Sequence, residues 1–329
     1  MPIPAKWRRN AAGVTAVALA GYIAVAVTVQ GGRIVEAVAG IGLPVLLAVL
    51  TLSLFNYGLR FWRWQLYLGW RNFEIPALRS LVVYLSGFAL TVSPGKAGEA
   101  VRCLYLSDEG VPYKASVALL FVERLMDLFA IVVLSAFLLT IRADLAWAIA
   151  CATALLLVAL AVIVWKETPA FLVMLGTRLG GRVGGLLEWI AEMLGHSRRL
   201  LAWKRLAGIL LLSVVAWGVE GYGVWLLASA LGHDIGLGVS LGIYGLAILA
   251  GAAAIFLPAG LGGTEAAMTA LLAAAGLPVA EAIAVTLVCR LATLWFAVMI
   301  GVGALATAEL MFAPGRKLIT LKSDGATYE

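Results

Sequence analysis

Apolar runs of about 20 residues recur along the whole of this chain, and that feature leaves few folds open to it. As a helix, such a run is as long as the hydrocarbon core of a bilayer is thick. A soluble protein that buried these runs in a core would need about a quarter of its residues charged to cover its outside. Only 13% of these 329 residues are charged, and 63% are hydrophobic. Mean hydropathy is +1.01. The sequence therefore predicts an all-α, polytopic membrane protein. No hydrophilic stretch is long enough for a second folded domain, so residues 1–329 read as a single integral membrane domain.

Several function classes fall away at once. Cys103, Cys151 and Cys289 are far apart and form no CxxC pair, so neither a disulfide framework nor a metal site is expected. His196 and His233 are isolated and read as surface or interfacial residues. There is no phosphate-binding glycine loop of the nucleotidase type and no HExxH. No cofactor is expected. The net charge of +6 suits loops facing anionic lipid better than it suits nucleic acid, which is not expected as a partner.

Lys6, Arg8 and Arg9 precede the first apolar run, 11–29. No small-residue cleavage site follows it, so it reads as a retained helix with a cytoplasmic N-terminus. A second span, about 43–59, meets "RFWRWQLYLGWR". There Arg60, Arg63 and Arg71 with Trp62, Trp64 and Trp70 read as a cytoplasmic interfacial belt. Further spans are expected at 115–139, 146–165, 206–231 and 280–305. Residues 166–205 have a basic excess and the periodic "VGGLLEWIAEMLG", which predicts a cytoplasmic amphipathic helix within about 170–205. Arg316, Lys317 and Lys322 place the C-terminus inside too. The expected location is the cell inner membrane, multi-pass.

Two apolar stretches are broken. Residues 78–92 and 100–106 flank "SPGKAGE", and 240–257 and 266–275 flank "PAGLGGTE". None reaches the roughly 20 residues a span needs, so each pair predicts a re-entrant hairpin of two half-helices. Pro94 ends the first incoming half-helix. Gly95 and Gly98, and in the second break Gly260, Gly262 and Gly263 after Pro258, let the backbone turn and approach closely. The two regions share a register. Glu99 and Glu265 each stand 13 residues before a proline (Pro112, Pro278) and 25 before an arginine (Arg124, Arg290). Three spans lie between the hairpins, and an odd number inverts orientation. The pattern predicts inverted repeats, about 78–139 and 240–305, with broken helices meeting near the midplane as in secondary transporters.

The intramembrane charges are the candidate site. The half-helix near Glu99 offers free N–H groups to an anion, or Glu99 caps them itself. Lys96 could meet a phosphate. Glu123, Arg124 and Asp127 lie within about one turn, and Arg124 and Asp127 can pair. Arg290 needs a partner, for which Glu265 and Glu281 are the candidates. Glu220 either pairs with an arginine or faces a polar cavity. In lipid such charges are costly and face the bundle interior. Two readings are open for them. They lock helices as buried ion pairs, or Arg124, Arg290 and Arg102 form an anionic headgroup site.

The blocks "NYGLRFWRWQLYL", "SPGKAGEAVRCLYL…GVPYKASVALLFVERLMDL" and "PAGLGGTEAAMTALLAAAGLPVAEAIAVTLVCRLATLWF" resemble the transmembrane region of lysylphosphatidylglycerol synthases and the stand-alone membrane proteins related to it. The resemblance implies a flippase-like inner-membrane domain. In bifunctional members that region moves an aminoacylated phospholipid made by a separate cytoplasmic domain. Some stand-alone members are associated with glycolipid or polyprenyl-lipid pathways. Matching positions are Asn56, Arg60, Arg63, Pro94, Gly95, Gly98, Glu99, Arg102, Glu123, Arg124, Asp127, Pro258, Gly260, Gly262, Glu265 and Arg290. No synthase domain lies within these residues, so lysyl transfer is not expected of them. The family commonly has GxRE where this chain has "GGTE", with Thr264 at the basic position. The expected function is translocation of an anionic or aminoacylated phospholipid, a glycolipid or a polyprenyl lipid. Membrane lipids are the expected partners, with a lipid-synthesising enzyme or a second copy of the chain as further candidates. The alternatives are a lipid-modifying membrane enzyme using Glu99, Arg124 and Asp127, which would turn over lipid in detergent, and a scaffold, which would co-purify with an enzyme.

Overall fold

The computed structural model describes residues 31–93, 97–254 and 260–312. The run 11–29, both basic termini, and Pro94, Gly95, Lys96 and Pro258 lie outside the described residues. Everything regular among the described residues is helical: α1 Gly31–Ile41, α2 Leu43–Trp70, α3 Ala77–Ser86, α4 Val101–Asp108, α5 Tyr113–Ser135, α6 Ala146–Val164, α7 Thr168–Leu179, α8 Gly181–Arg198, α9 Trp203–Ala230, α10 Leu237–Ala253, α11 Gly263–Ala274, α12 Val279–Arg290 and α13 Phe296–Met311. Among the described residues four segments are long and apolar enough to cross a membrane: Leu43–Trp70, Ala143–Val164, Arg205–Ala230 and Val279–Met311. The protein is an all-α, polytopic membrane protein. Helix α5 has the length of a span, with 23 residues, and carries three charges into the interior.

Two expectations need correction. The second span does not stop at residue 59. Helix α2 continues to Trp70, and Arg60, Arg63 and Trp64 are buried while Trp62 faces outward. Positive charge marks a membrane boundary only when it lies in water, and these guanidinium groups face carboxylates on α5. The amphipathic segment is two helices rather than one. Gly180 and Gly181 both have positive φ and break α7 from α8. The two helices then cross so closely that a Cβ on Gly184 would lie 2.6 Å from the Gly176 carbonyl oxygen. The expected last span is present over Val279–Met311. A π-helical turn, Leu291–Trp295, interrupts it directly after Arg290.

The long helices α2 and α9 are both 28 residues, and the turns after them are built alike. Asn72 and Gly232 take positive φ just past their ends. The next N–H groups close the turn onto helix carbonyls, Phe73 to Leu68 at 3.0 Å and His233 to Ala228 at 3.1 Å. This is a six-residue helix stop that satisfies otherwise orphaned carbonyls. Gly110 and Gly276 do the same after α4 and α11, with Val111 to Leu106 at 3.0 Å and Leu277 to Leu272 at 3.2 Å. Pro112 and Pro278 then open α5 and α12.

Packing crosses between the two halves. Helix α3 lies on α13, and α10 lies on α5. Small residues permit the approach, as is usual where lipid supplies no hydrophobic drive between helices. Gly242 and Gly245 of α10 sit on the backbone near Leu138 and Ser135. A Cβ on Gly301 of α13 would lie 2.2 Å from the Ala89 nitrogen, whereas one on Gly303 meets nothing within 4 Å. Gly301→Ala should therefore destabilise the folded chain by about 1–3 kcal/mol or more through overpacking, and Gly303→Ala should leave it unchanged or slightly more stable. Melting of both variants in one detergent checks this pair.

Candidate functional site

Helix α5 is the anchor. Glu123 and Asp127, four residues apart, share a face, and that face meets α2. Ser53, Asn56, Arg60 and Arg63 of α2 follow helical spacing and are all buried. Arg63 Nη1 lies 2.7 Å from Asp127 Oδ1, and Arg63 Nη2 lies 3.5 Å from Glu123 Oε1. Arg60 Nη2 is more distant, 3.6 Å from Glu123 and 3.8 Å from Asp127. Trp217 of α9 donates its indole N–H to Asp127 at 2.9 Å, and the Tyr84 hydroxyl of α3 donates to Glu123 at 3.2 Å.

The first break delivers two more members. Arg102 Nη1 is 3.1 Å from Glu123, and its Nη2 is 3.3 Å from Glu99. Its guanidinium lies 5.0 Å from the Trp64 ring centroid and 4.9 Å from that of Tyr84. Glu99 accepts from the Thr91 hydroxyl at 2.6 Å. Arg124 lies 3.1 Å from Asp127, as the three-residue spacing predicts, and also 2.7 Å from Glu123 and 3.6 Å from Glu99. Gly98 has no room for a side chain, since a Cβ there would lie 2.5 Å from that of Leu90.

The second break repeats the glutamate–arginine contact. Arg290 Nε donates to Glu265 Oε1 at 2.6 Å, across the same 25 residues. The other Glu265 oxygen accepts the Gly262 N–H at 2.7 Å, so this carboxylate also caps α11. Gly260 and Gly262 have positive φ, and Gly263 begins α11. A Cβ on Gly260 would lie 2.6 Å from the Gly251 carbonyl oxygen. Glu281, the other candidate partner of Arg290, is held by His233 at 2.6 Å. Thr264 is buried against Gly251.

Between these groups lies a polar cavity of about 50 Å³, lined among others by Asn56, Arg60, Glu99, Trp217, Glu220 and Arg290. Glu220 faces it and accepts from the Ser53 hydroxyl at 3.2 Å. The expected headgroup trio is therefore divided. Arg290 lines the cavity, Arg124 does not, and Arg102 is enclosed among carboxylates and rings at 1% exposure. Arg60 and Arg63 are what the sequence reading misplaced, and Asn56 is what it left without a role. The available signal was the Ser53, Asn56, Arg60, Arg63 stripe on one helical face. The π-turn after Arg290 had no such signal, although π-turns recur at functional sites. Among the described residues no group of three or more His, Cys, Asp or Glu side chains could hold a metal ion.

Residues 10–301 match the protein family described as "Lysylphosphatidylglycerol synthase TM region", and the chain belongs to that family. No curated protein matches the chain. The family and the membrane architecture support a flippase-like role in lipid transport, and the family is the membrane region of those synthases rather than their catalytic domain.

Enclosure makes a prediction for Arg102. Removing one member of a buried, paired charge set leaves its partners uncompensated and costs about 3–5 kcal/mol. Arg102→Ala should lower stability by that order. Lys114→Ala, which breaks an exposed contact with Glu192, should cost under about 1 kcal/mol. Denaturant titration of both variants in detergent decides the ranking.

Proposed function

We propose that this chain moves a phospholipid, glycolipid or polyprenyl lipid with an anionic or aminoacylated headgroup across the cell inner membrane. The observation that carries the reading is the polar cavity lined from both halves of the chain by Arg60, Glu99, Glu220 and Arg290. A headgroup crossing hydrocarbon must exchange its water for fixed polar partners. Guanidinium groups suit a phosphate because their planar fork can give it two parallel hydrogen bonds.

The two broken regions act as inverted re-entrant hairpins, and both termini face the cytoplasm. Three features support that arrangement: the equal spacing of the Glu99–Arg124 and Glu265–Arg290 contacts, the matched helix stops, and the crossed packing of α3 on α13 and α10 on α5. Irregular backbone at membrane depth is tolerated where protein shields it or a wet cavity adjoins it. Alternating access then rocks one half against the other around the cavity.

Reconstitution tests the transport. Purified protein in liposomes should move labelled lipid between leaflets for at least one member of a headgroup panel, faster than protein-free liposomes do. No movement for any headgroup, together with lipid turnover in detergent, would replace the transporter with an enzyme. Labelling tests the topology. In a chain without its native cysteines, Ala100→Cys and Ala266→Cys should react with a membrane-impermeant thiol reagent from opposite faces. Rapid labelling of both from one face would sink the inverted arrangement.

A further inference from the structure

Arg60 is the odd cation of the interior. The buried cluster contains four arginines, Arg60, Arg63, Arg102 and Arg124, and three carboxylates, Glu99, Glu123 and Asp127. Arg63, Arg102 and Arg124 each have a carboxylate oxygen within 2.7–3.1 Å. Arg60 has none closer than 3.6 Å. Its Nε has no hydrogen-bond partner, although the side chain is only 8% exposed. The rings of Phe88 and Trp217 flank its guanidinium, at 5.4 Å and 5.2 Å from their centroids. Such rings hold a cation in place without using its N–H donors. Arg60 also lines the cavity, whose volume has room for about four oxygen-sized groups at roughly one probe sphere each.

The carboxylate of Glu220 is the other acid on the cavity wall besides Glu99. It stands 160 residues after Arg60, the spacing at which the Asn56 amide donates to the Ala216 carbonyl at 2.6 Å across the α2–α9 contact. At that same spacing Ser53 and Ser213 correspond. Ser53 donates to Glu220 at 3.2 Å and Ser213 Oγ accepts from Arg63 at 2.6 Å. Gly58 matches Gly218, Ile75 matches Ile235, Ser80 matches Ser240 and Tyr84 matches Tyr244. The shared spacing thus extends back through the long helices. Arg60 and Glu220 occupy one equivalent position on their two faces, with opposite charge.

We propose that Arg60 receives a phosphate monoanion in this cavity and that Glu220 competes with that anion for it. This deepens the transport reading and rests on it only for the source of the phosphate. An entering phosphate accepts from the spare Arg60 donors and balances the fourth guanidinium. Glu220, held by Ser53 in the same lining, offers Arg60 a carboxyl acceptor when the cavity is unloaded and so competes with the anion. The site is therefore set for reversible rather than tight binding.

Calorimetric titration of the purified full-length chain in detergent tests this, with dihexanoyl phosphatidylglycerol in one arm, inorganic phosphate in a second and dihexanoyl glycerol as the phosphate-free control. The wild type should bind a phosphate-bearing probe and not the control. Arg60→Gln should weaken binding by about tenfold or more, the scale of a hydrogen bond to a charged group. Glu220→Gln, which keeps an acceptor for Ser53, should tighten it severalfold. The double variant should resemble Arg60→Gln, because the competition acts through Arg60. Unchanged or weaker binding in folded Glu220→Gln would overturn the proposal, and it decides the matter even if Arg60→Gln fails to fold. Wild-type affinity in folded Arg60→Gln would overturn it as well. If inorganic phosphate alone binds, with the same dependence on both residues, the anion site stands and the lipid reading of its ligand falls.

Discussion

Everything in this interior depends on the meeting of arginines from α2 and α4 with carboxylates from α5. An arginine placed in hydrocarbon costs at least about 2.5 kcal/mol on insertion scales unless it is paired or solvated. Arg63, Arg102 and Arg124 are paired by Glu123, Asp127 and Glu99, and those carboxylates take further hydrogen bonds from Trp217, Tyr84 and Thr91. The contacts fix the register of α2, α3, the first break, α5 and α9 against one another. A buried ion network of this kind is a poor source of net stability, because desolvation offsets most of the Coulombic gain. Its effect is specificity: slipping any one helix by a turn would strand a charge.

That rigid network lies in one half of the chain, and its counterpart is sparse. Around the second break the Arg290–Glu265 contact stands beside the π-turn and the cavity. Helices α2 and α9 share a length and a helix stop, and the two breaks share a glutamate–arginine spacing, while charge is denser around the first. Arg60 and Arg290 face the cavity together with Glu99 and Glu220. Small residues at the crossings between halves, Gly242, Gly245 and Gly301, allow close contact without interlocking large side chains.

The fold class was legible in the sequence because a run of about 20 apolar residues has almost no alternative to a membrane helix. The two breaks were legible because proline and glycine act locally. The Arg290–Glu265 contact could be anticipated because a lone charge in a span demands a partner. The role of Arg60 and Arg63 was not legible by the same logic. A basic residue beside tryptophans at the end of an apolar run reads as interfacial, and only the carboxylates of a helix much later in the chain, Glu123 and Asp127, show otherwise. The break between α7 and α8 turned on positive φ at Gly180 and Gly181, within a segment whose periodicity suggested continuity. The alignment of α2 with α9 was hidden because the kept residues, such as Ser53 and Ser213 or Gly58 and Gly218, are scattered 160 residues apart among many that differ, Arg60 against Glu220 above all.

The central claim is that the cavity arginines handle a headgroup rather than merely locking helices. Arg124→Lys and Arg290→Lys separate these roles, since lysine keeps the charge for pairing but lacks the planar fork. Melting in detergent and lipid translocation in proteoliposomes should be measured on the same purified variants. The account predicts that Arg290→Lys melts close to the wild type yet moves lipid at least several-fold more slowly, and that Arg124→Lys, which lies outside the cavity lining, shows the smaller transport defect at equal stability. Transport losses that simply track losses in melting temperature, with no separable defect at Arg290, would contradict it and leave both arginines as structural pairs.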